Sequence, residues 1–349
     1  MIRLGILGAA RIAPRAVIAP ARGSARVRVV AVAARDPARA RRFAEEHGVD
    51  RALPGYDALL ASPDVDAVYV ALPAALHSEW TRRALQAGKH VLCEKPFAAN
   101  AGEAEGMVAA AAAADRVLLE ALHYRFHPLA DRLRAIVTSG EIGAVLEIEG
   151  AFNAAIAPGD IRHDLALGGG ALMDLGYYPV HWARLVTGEE PRVVTAEAVE
   201  DAEREPGVDQ SMTAELVFGG GARARILCSM APDAERLNWL RVRGDRGEVA
   251  VDNLLAPHSG HRLEIRTTGS RPRTEQVAGG TTYEYQLAAF AAAVLDGGPR
   301  LTGGADAIAT MRALDAIYRA AGMSPRSPCS YDGGRPPNPP GPAGHTPVQ

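Results

Sequence analysis

The chain has 349 residues, 48% hydrophobic and 23% charged, which suits a globular protein of about two domains. Its net charge of −3 argues against nucleic acid or a polyanionic surface as the main partner. Three cysteines, odd in number and far apart, match neither a disulfide framework nor a zinc-binding pattern, so we expect a cytoplasmic protein without a metal site.

The first predicted strand, Leu4–Leu7, begins almost at the start of the chain, so we expect no signal peptide. The turn after it occupies the place of the G-x-G-x-x-G dinucleotide fingerprint, with Gly8 as the first glycine. Ala10 and Ala13 replace the other two glycines, and the Ala10 methyl group lies where a pyrophosphate would pass. The alternative interpretation of this turn is an ordinary strand–turn–helix that binds no nucleotide. The predicted cofactor contacts in this fingerprint turn are Gly8, Ala9, Ala10, Arg11 and Ile12.

Arg35 follows the second predicted strand, at the position where an acid usually binds the ribose 2′-hydroxyl of NAD. A guanidinium can grip a 2′-phosphate with two hydrogen bonds, so Arg35 favours NADP, with NAD as a possibility. Asp36 could overturn this prediction as a displaced ribose-binding acid. For the next three arginines we prefer a purely solvent-exposed role: Arg39, Arg41 and Arg42.

Strands alternate with helices up to residue 121, which predicts an α/β domain with a doubly wound parallel sheet over residues 1–121. One strand ends at Leu72 and Pro73, and a helix begins at His77 close behind it. All three are predicted to lie near the cofactor. A helix-cap histidine without any chemistry is the equal alternative for His77.

The sequence Glu94-Lys95-Pro96 follows a buried strand and therefore lies at the carboxyl end of the sheet, where open α/β sheets bind ligands. Lys95 is a candidate catalytic group. A surface ion pair between Glu94 and Lys95 is the alternative.

After residue 121 the predicted strands follow one another with few helices between them, which indicates a largely antiparallel sheet in a second domain over residues 122–323. A broad sheet face is also a natural surface for a homodimer or homotetramer. His123 and His127 have the spacing of a metal pair, but no third ligand is evident and we prefer no metal. The proline-rich segment 324–349 is predicted to be disordered.

Three glycines, Gly168–Gly170, form a second candidate site; we refer to them as the triple-glycine turn. Asp174, Tyr178 and His181 follow at helical spacing and would share a face unless Pro179 interrupts the helix. Tyr178 could transfer a proton if a cation such as Lys95 lowers its pKa. A helix-capping Asp174 and a core Tyr178 are the alternative.

In their order and spacing these motifs resemble the Gfo/Idh/MocA family of oxidoreductases, from Ile2 to about Gly322. The run Glu120–Pro128 and the pair Ile161-Arg162 resemble one branch most closely. That branch contains the trans-dihydrodiol dehydrogenases, the NADP-dependent D-xylose dehydrogenases and glucose–fructose oxidoreductase. The resemblance implies hydride transfer between nicotinamide C4 and a carbinol or carbonyl carbon of a sugar, polyol or cyclic diol. It also implies a Rossmann domain followed by an α+β domain with an open sheet.

The resemblance further implies that Lys95 contacts the nicotinamide ribose and the reacting oxygen, beside a cis peptide bond at Pro96. Asp174 matches the family acid, Tyr178 matches the proton-transferring tyrosine of the branch, and Glu94 is expected to hold the lysine or its loop near the cofactor. The two expected substrate contacts besides Lys95 are Arg162 and His181. A non-catalytic sensor that binds NADP and reports to a protein partner is the alternative function.

Overall fold

The computed structural model describes residues 1–200 and 205–329. The first sheet has six parallel strands in the order β3-β2-β1-β4-β5-β6. Their bounds are β1 (Ile2–Leu7), β2 (Val27–Ala33), β3 (Arg51–Leu53), β4 (Ala67–Val70), β5 (His90–Cys93) and β6 (Leu118–Glu120). The helices of this half are α1 (Ala19–Arg22), α2 (Pro37–His47), α3 (Tyr56–Leu60), α4 (His77–Gln86) and α5 (Ala101–Ala114).

The strands of the first sheet are short and almost wholly apolar because helices cover both faces. All four residues of β4 are buried, as expected for a central parallel strand. The predicted doubly wound parallel sheet is therefore confirmed. The strand order reverses between β1 and β4, and ligands bind at the carboxyl ends of the strands at such a point.

The second sheet has eight strands in the order β14-β13-β12-β11-β7-β10-β9-β8. Their bounds are β7 (Val145–Asn153), β8 (Arg192–Glu200), β9 (Asp209–Val217), β10 (Arg223–Ser229), β11 (Leu237–Gly244), β12 (Gly247–Asp252), β13 (Arg262–Thr267) and β14 (Arg273–Glu275). Every pair is antiparallel except β7 with β10, which confirms the predicted, mainly antiparallel sheet. The short strands β3 and β14 lack a clear pattern and were not among the predicted elements.

Apolar and polar side chains alternate along the strands of the second sheet, and the apolar face is the one that the helices cover. In β11, Leu240 and Val242 are buried, whereas Arg241 and Arg243 point to the exposed face. The helices of this half are α6 (Pro128–Thr138), α7 (Tyr177–Thr187), α8 (Thr282–Asp296) and α9 (Ala305–Ala320). Helices α7 and α9 pack on the apolar face of this sheet, and α6 packs on α7.

Helix α8 returns to the first half of the molecule. Its residues Leu287 and Phe290 share a buried cluster with Ile6 of β1 and Leu92 of β5. The predicted division at residue 121 therefore does not describe α8, which follows the second sheet in sequence but packs beside the first. Within the described residues, no helix is both long enough and apolar enough to cross a membrane.

Residues 324–329 correct the prediction of a disordered tail in its first part. Arg326 is 3% exposed and pairs with the buried Asp209, and the Cys329 amide donates to the Ala75 carbonyl at 3.0 Å. This segment is ordered because the arginine meets a carboxylate inside the protein. The rest of the predicted tail, residues 330–349, lies outside the described residues.

Candidate active site

The fingerprint turn lies at the point where the strand order reverses. Gly8 has a φ of +101°, and a Cβ there would lie 2.5 Å from the Ala71 carbonyl oxygen at the end of β4. Only glycine suits this backbone and this close approach. Pro14 then begins a π-helical turn, Pro14–Ile18, that runs into α1. A glycine cradle opening a helix at this edge fits a dinucleotide pyrophosphate, with Ala9 buried, Ala10 and Ile12 half-buried and Arg11 exposed.

At the end of β2, Arg35 is exposed and Asp36 is the N-cap of α2, where it accepts a hydrogen bond from the Ala38 amide at 2.8 Å. Its capping role accounts for Asp36 without a ribose. Arg39 differs from the prediction of a purely solvent-exposed arginine, because it donates to the Ala9 carbonyl at 2.9 Å.

His77 joins the two strand-end loops of β4 and β5. Its Nδ1 lies 2.8 Å from the Pro96 carbonyl oxygen and its Nε2 lies 2.7 Å from the Leu72 carbonyl oxygen. The ring is 1% exposed, and burial lowers its pKa more than these carbonyls raise it. His77 therefore positions Leu72, Pro73 and Pro96, and it has no ring nitrogen to offer to a cofactor.

Glu94 and Lys95 do not form the ion pair that their adjacency suggested. The Glu94 carboxylate accepts from the Tyr69 hydroxyl and, at 3.2 Å, from the Lys95 amide. Burial raises the pKa of Glu94 above its ordinary value. Glu94 thus holds the backbone of the loop, and the lysine ammonium is free to reach the second domain. The peptide bond between Lys95 and Pro96 is cis, as expected.

Lys95 meets Asp174 across the interface of the two halves. Its Nζ lies 2.7 Å from Asp174 Oδ1 and 2.8 Å from the Asp174 carbonyl oxygen. Arg162 Nε donates to the other carboxylate oxygen, Oδ2, at 2.8 Å. Lys95 Nζ also lies 5.2 Å from the centre of the Tyr178 ring. The motifs are 79 residues apart in sequence, yet the fold brings them to one edge of the first sheet.

The charges of this cluster determine the protonation of its acids. Burial alone would raise the pKa of Asp174, but Arg162 and Lys95 together lower it well below its ordinary value. The predicted lowering of the Tyr178 pKa by Lys95 is not found. Burial raises the pKa of Tyr178 well above its ordinary value, with Tyr283 and Glu94 adding to the effect. The Asp174 carboxylate that pairs with Lys95 raises the pKa of Tyr178 further.

Aromatic and imidazole rings surround Tyr178, which is 5% exposed. Phe152 contacts it edge-on at 5.4 Å, and His123 lies 6.3 Å away and stacks on Tyr283 at 4.3 Å. Burial lowers the pKa of His123 to about 3, so this ring is neutral at physiological pH. Tyr283 was not expected at this edge, because no sequence motif connects α8 to it.

His181 is not brought to the cluster, in contrast to the expected substrate contact. It is 2% exposed, and its Nδ1 pairs with the Tyr124 hydroxyl while its Nε2 lies 3.1 Å from Asp306 Oδ2. The helical segment contains a π-helical turn, Leu172–Gly176, directly before α7. Its extra residue per turn shifts the face on which His181 lies relative to Asp174.

The two histidines with the spacing of a metal pair have local hydrogen-bonding partners. His127 is the N-cap of α6, and His123 Nδ1 lies 2.8 Å from the Thr282 hydroxyl. Over residues 1–200 and 205–329, no group of three or more His, Cys, Asp or Glu side chains could hold a metal ion.

Two family models match the chain. The model described as "Oxidoreductase family, NAD-binding Rossmann fold" covers residues 2–122, and the "GFO/IDH/MocA C-terminal domain" covers residues 130–250.

Two relatives and one solved structure illustrate the similarity. D-xylose 1-dehydrogenase (NADP(+)) 2 from Haloferax volcanii is 38% identical over 321 residues, 91% of this chain and 96% of that enzyme. Trans-1,2-dihydrobenzene-1,2-diol dehydrogenase from Xenopus tropicalis is 36% identical over 224 residues, 64% of this chain and 66% of that enzyme. A 3-ketoreductase from Actinomadura kijaniata, solved with NADP and TDP-benzene, has a TM-score of 0.85 at 32% identity, covering 91% of this chain and 97% of its own.

Proposed function

The chain belongs to the GFO/IDH/MocA oxidoreductase family, and from that premise we propose that it is an NADP-dependent dehydrogenase or reductase of CH–OH groups. Its substrate is a sugar, polyol or cyclic diol. The observation that carries the proposal is the contact of Lys95 with Asp174, 5.2 Å from the Tyr178 ring and at the same sheet edge as the fingerprint turn. A sensor of the same fold needs none of these three side chains.

The fingerprint turn and Arg35 would hold the cofactor, with Arg39 as a second cation for the 2′-phosphate. The nicotinamide supplies a hydride acceptor or donor at C4. Lys95 holds the reacting oxygen and stabilises negative charge on it, and Asp174 orients the lysine. Tyr178 keeps its proton at neutral pH, so it is suited to donate this proton to the oxygen of a carbonyl that is being reduced.

A substrate panel with NADP+ and NAD+ side by side tests the proposal. The panel includes D-xylose, D-glucose, myo-inositol and trans-dihydrodiols, and formation of NADPH or NADH is followed by absorbance. We expect turnover of at least one compound and a preference for NADP+. A preference for NAD+ would contradict the role of Arg35. Tight NADPH binding without turnover of any compound would favour the sensor.

The Tyr178→Phe variant tests the proton transfer. Loss of the hydroxyl should lower kcat by roughly a hundred- to ten-thousandfold, the usual range for a general acid. Tyr177→Phe is the matched control, because Tyr177 is the adjacent tyrosine, is fully buried and has its hydroxyl away from solvent. An equal loss in both variants would indicate a packing effect and not proton transfer.

We also propose a homodimer or homotetramer through the exposed face of the second sheet, in the cytoplasm. This face carries paired charges of both signs, such as Arg241 with Glu149 at 3.5 Å and Arg243 with Glu147. Light scattering after gel filtration would give the mass of the particle. A monomer at micromolar concentration would contradict the assembly.

A further inference from the structure

Five charged side chains form one continuous line from the fingerprint turn to Lys95. The line comprises Arg11, Asp160, Arg162, Asp174 and Lys95. The four links measure 2.7, 3.0, 2.8 and 2.7 Å in that order. Cations and carboxylates alternate, and each carboxylate oxygen of the two aspartates takes a different cation. The first link joins two residues 149 positions apart in sequence, one from each half of the molecule.

Asp160 lies on the bridging loop, residues 154–167, which leads into the triple-glycine turn. The loop is fastened on both sides of the crevice between β1 and β4. On the β1 side, Asp160 binds Arg11. On the β4 side, a Cβ at Gly168 would lie only 3.2 Å from Ala74 Cβ, so the end of the loop packs on the segment after Pro73. The bridging loop therefore spans the crevice in which the dinucleotide is expected.

The sign of the charge makes Asp160 unusual at this position. A dinucleotide pyrophosphate is anionic, so a carboxylate beside the fingerprint turn repels it. Burial would raise the pKa of Asp160, but Arg162 and Arg11 lower it, so the group stays charged at neutral pH. If charge were the only factor, removing this carboxylate would tighten cofactor binding. Its side chain is 16% exposed and binds two arginines, which indicates that it holds the bridging loop in place.

We propose that Asp160 is a positioning residue that clamps the bridging loop over the bound cofactor through Arg11, so that NADP(H) leaves only when this pair opens. The proposal rests on the function proposed above. The Arg11 guanidinium has five N–H donors, so it can bind a phosphate and Asp160 together. The same carboxylate holds Arg162 against Asp174, so closure of the clamp and the orientation of Lys95 are linked.

The test is the rate of NADPH dissociation from the full-length protein, followed by stopped-flow fluorescence with excess NADP+ as competitor. Asp160→Asn retains an oxygen for the cap of the turn at residues 161–163 but loses the charge. We expect this variant to release NADPH about two- to fivefold faster, because the Arg11 side chain is 83% exposed and such an ion pair contributes at most about 1 kcal/mol. Slower release, as repulsion alone requires, would overturn the proposal.

Asp164→Asn is the matched control. Asp164 lies on the same loop and caps the next short turn by accepting from the Ala166 amide at 2.9 Å, and it has no part in the line of charges. Its variant should release NADPH at the wild-type rate, and equal acceleration in both variants would overturn the proposal. In an Arg11→Gln background, Asp160→Asn should have no further effect, whereas an undiminished effect would also overturn the clamp.

The binding assay requires no substrate, so the two hypotheses can fail separately. If the wild-type protein binds NADPH and Asp160→Asn leaves its dissociation rate unchanged, the clamp is wrong and the proposed function stands. If the wild-type protein does not bind NADPH, both are wrong.

Discussion

Asp174 and Asp209 both lie near the triple-glycine turn and both are paired with arginine, but their pKa values are shifted in opposite directions. Asp174 has two cations, Lys95 and Arg162, and its pKa lies well below the ordinary value. Asp209 is 0% exposed and has one cation, Arg326. Burial raises the pKa of Asp209 to about 6 although Arg326 opposes the shift. The neighbouring cations, set against the extent of burial, decide the direction in which each pKa shifts.

This difference corresponds to different roles. Asp174 contacts Lys95 and Arg162 at the interface of the two halves, and in the proposed function it orients Lys95. Asp209 holds the segment 324–329 to the second sheet and accepts from the Leu172 amide at 2.7 Å, so its role is structural. Gly170 packs against this pair, since a Cβ there would lie 2.1 Å from Asp209 Oδ1. Removing a cation from each aspartate should therefore lower activity in one case and stability in the other.

Lys95→Ala should have the largest effect. The reacting oxygen loses its positive partner, and kcat should fall by roughly 10⁴-fold, equivalent to about 5 kcal/mol in the activation free energy. NADPH binding, measured by fluorescence titration, should persist because the fingerprint turn and Arg35 are unchanged. Unchanged turnover would remove Lys95 from the site.

Arg326→Leu should lower the free energy of unfolding by about 3–5 kcal/mol in urea titrations, since it leaves Asp209 buried without a cation. The loss should be smaller at pH 5 than at pH 8. The pKa of Asp209 is raised to about 6 in the folded protein, so folding favours the protonated, neutral carboxyl. The stability gained from this protonation is fully present below the pKa of the unfolded chain and is lost as the pH rises through 6. At pH 5 the neutral carboxyl does not need the arginine, whereas at pH 8 the charged carboxylate does.

Arg319→Leu provides the control for this experiment. Arg319 also faces an aspartate, Asp315 at 3.6 Å, but its side chain is 64% exposed. Its removal should cost less than about 1 kcal/mol at either pH. Equal losses for the two arginines would show that the buried pair has no special importance.

The two aspartates also show which parts of the site could be predicted from the sequence. The fingerprint turn and Lys95 were found because each follows an apolar strand, and the carboxyl ends of parallel strands share one edge. Asp174 was predicted from the resemblance to the family, which rests on the order and spacing of the motifs. These signals are local, and the fold only had to bring them together.

The missed contacts depend on packing between distant segments. Arg326 and Asp209 are 117 residues apart, and neither is part of a pattern that indicates a partner. Tyr283 reaches the site only because α8 returns to the first sheet. His181 was assigned by helical spacing, which fails when a π-helical turn precedes the helix. Burial, and hence the raised pKa of Tyr178, likewise becomes visible only in the folded protein.

Asp174→Asn tests the same comparison of the two aspartates by changing the carboxylate instead of its cation. Lys95 keeps a hydrogen-bonding neighbour but loses its ionic partner, and misplacement of the ammonium should lower kcat roughly a hundredfold. The free energy of unfolding should change less than in Arg326→Leu. Asp209→Asn, the matched variant, should change stability but retain most of the activity. If instead it matched Asp174→Asn in kcat, the division of roles between the two aspartates would be wrong.

Arg162→Lys should have the smallest effect. It tests whether Asp174 needs its second cation, Arg162, in addition to Lys95. A lysine preserves the charge but cannot span Asp160 and Asp174 as the guanidinium does, so kcat should fall by about three- to tenfold. Arg162→Met removes the charge, and the pKa of Asp174 should then rise towards its ordinary value. Activity should accordingly be lost at a higher pH as the solution is acidified, because protonated Asp174 no longer holds Lys95. An acid limb that does not move between these two variants would mean that Lys95 alone keeps Asp174 charged.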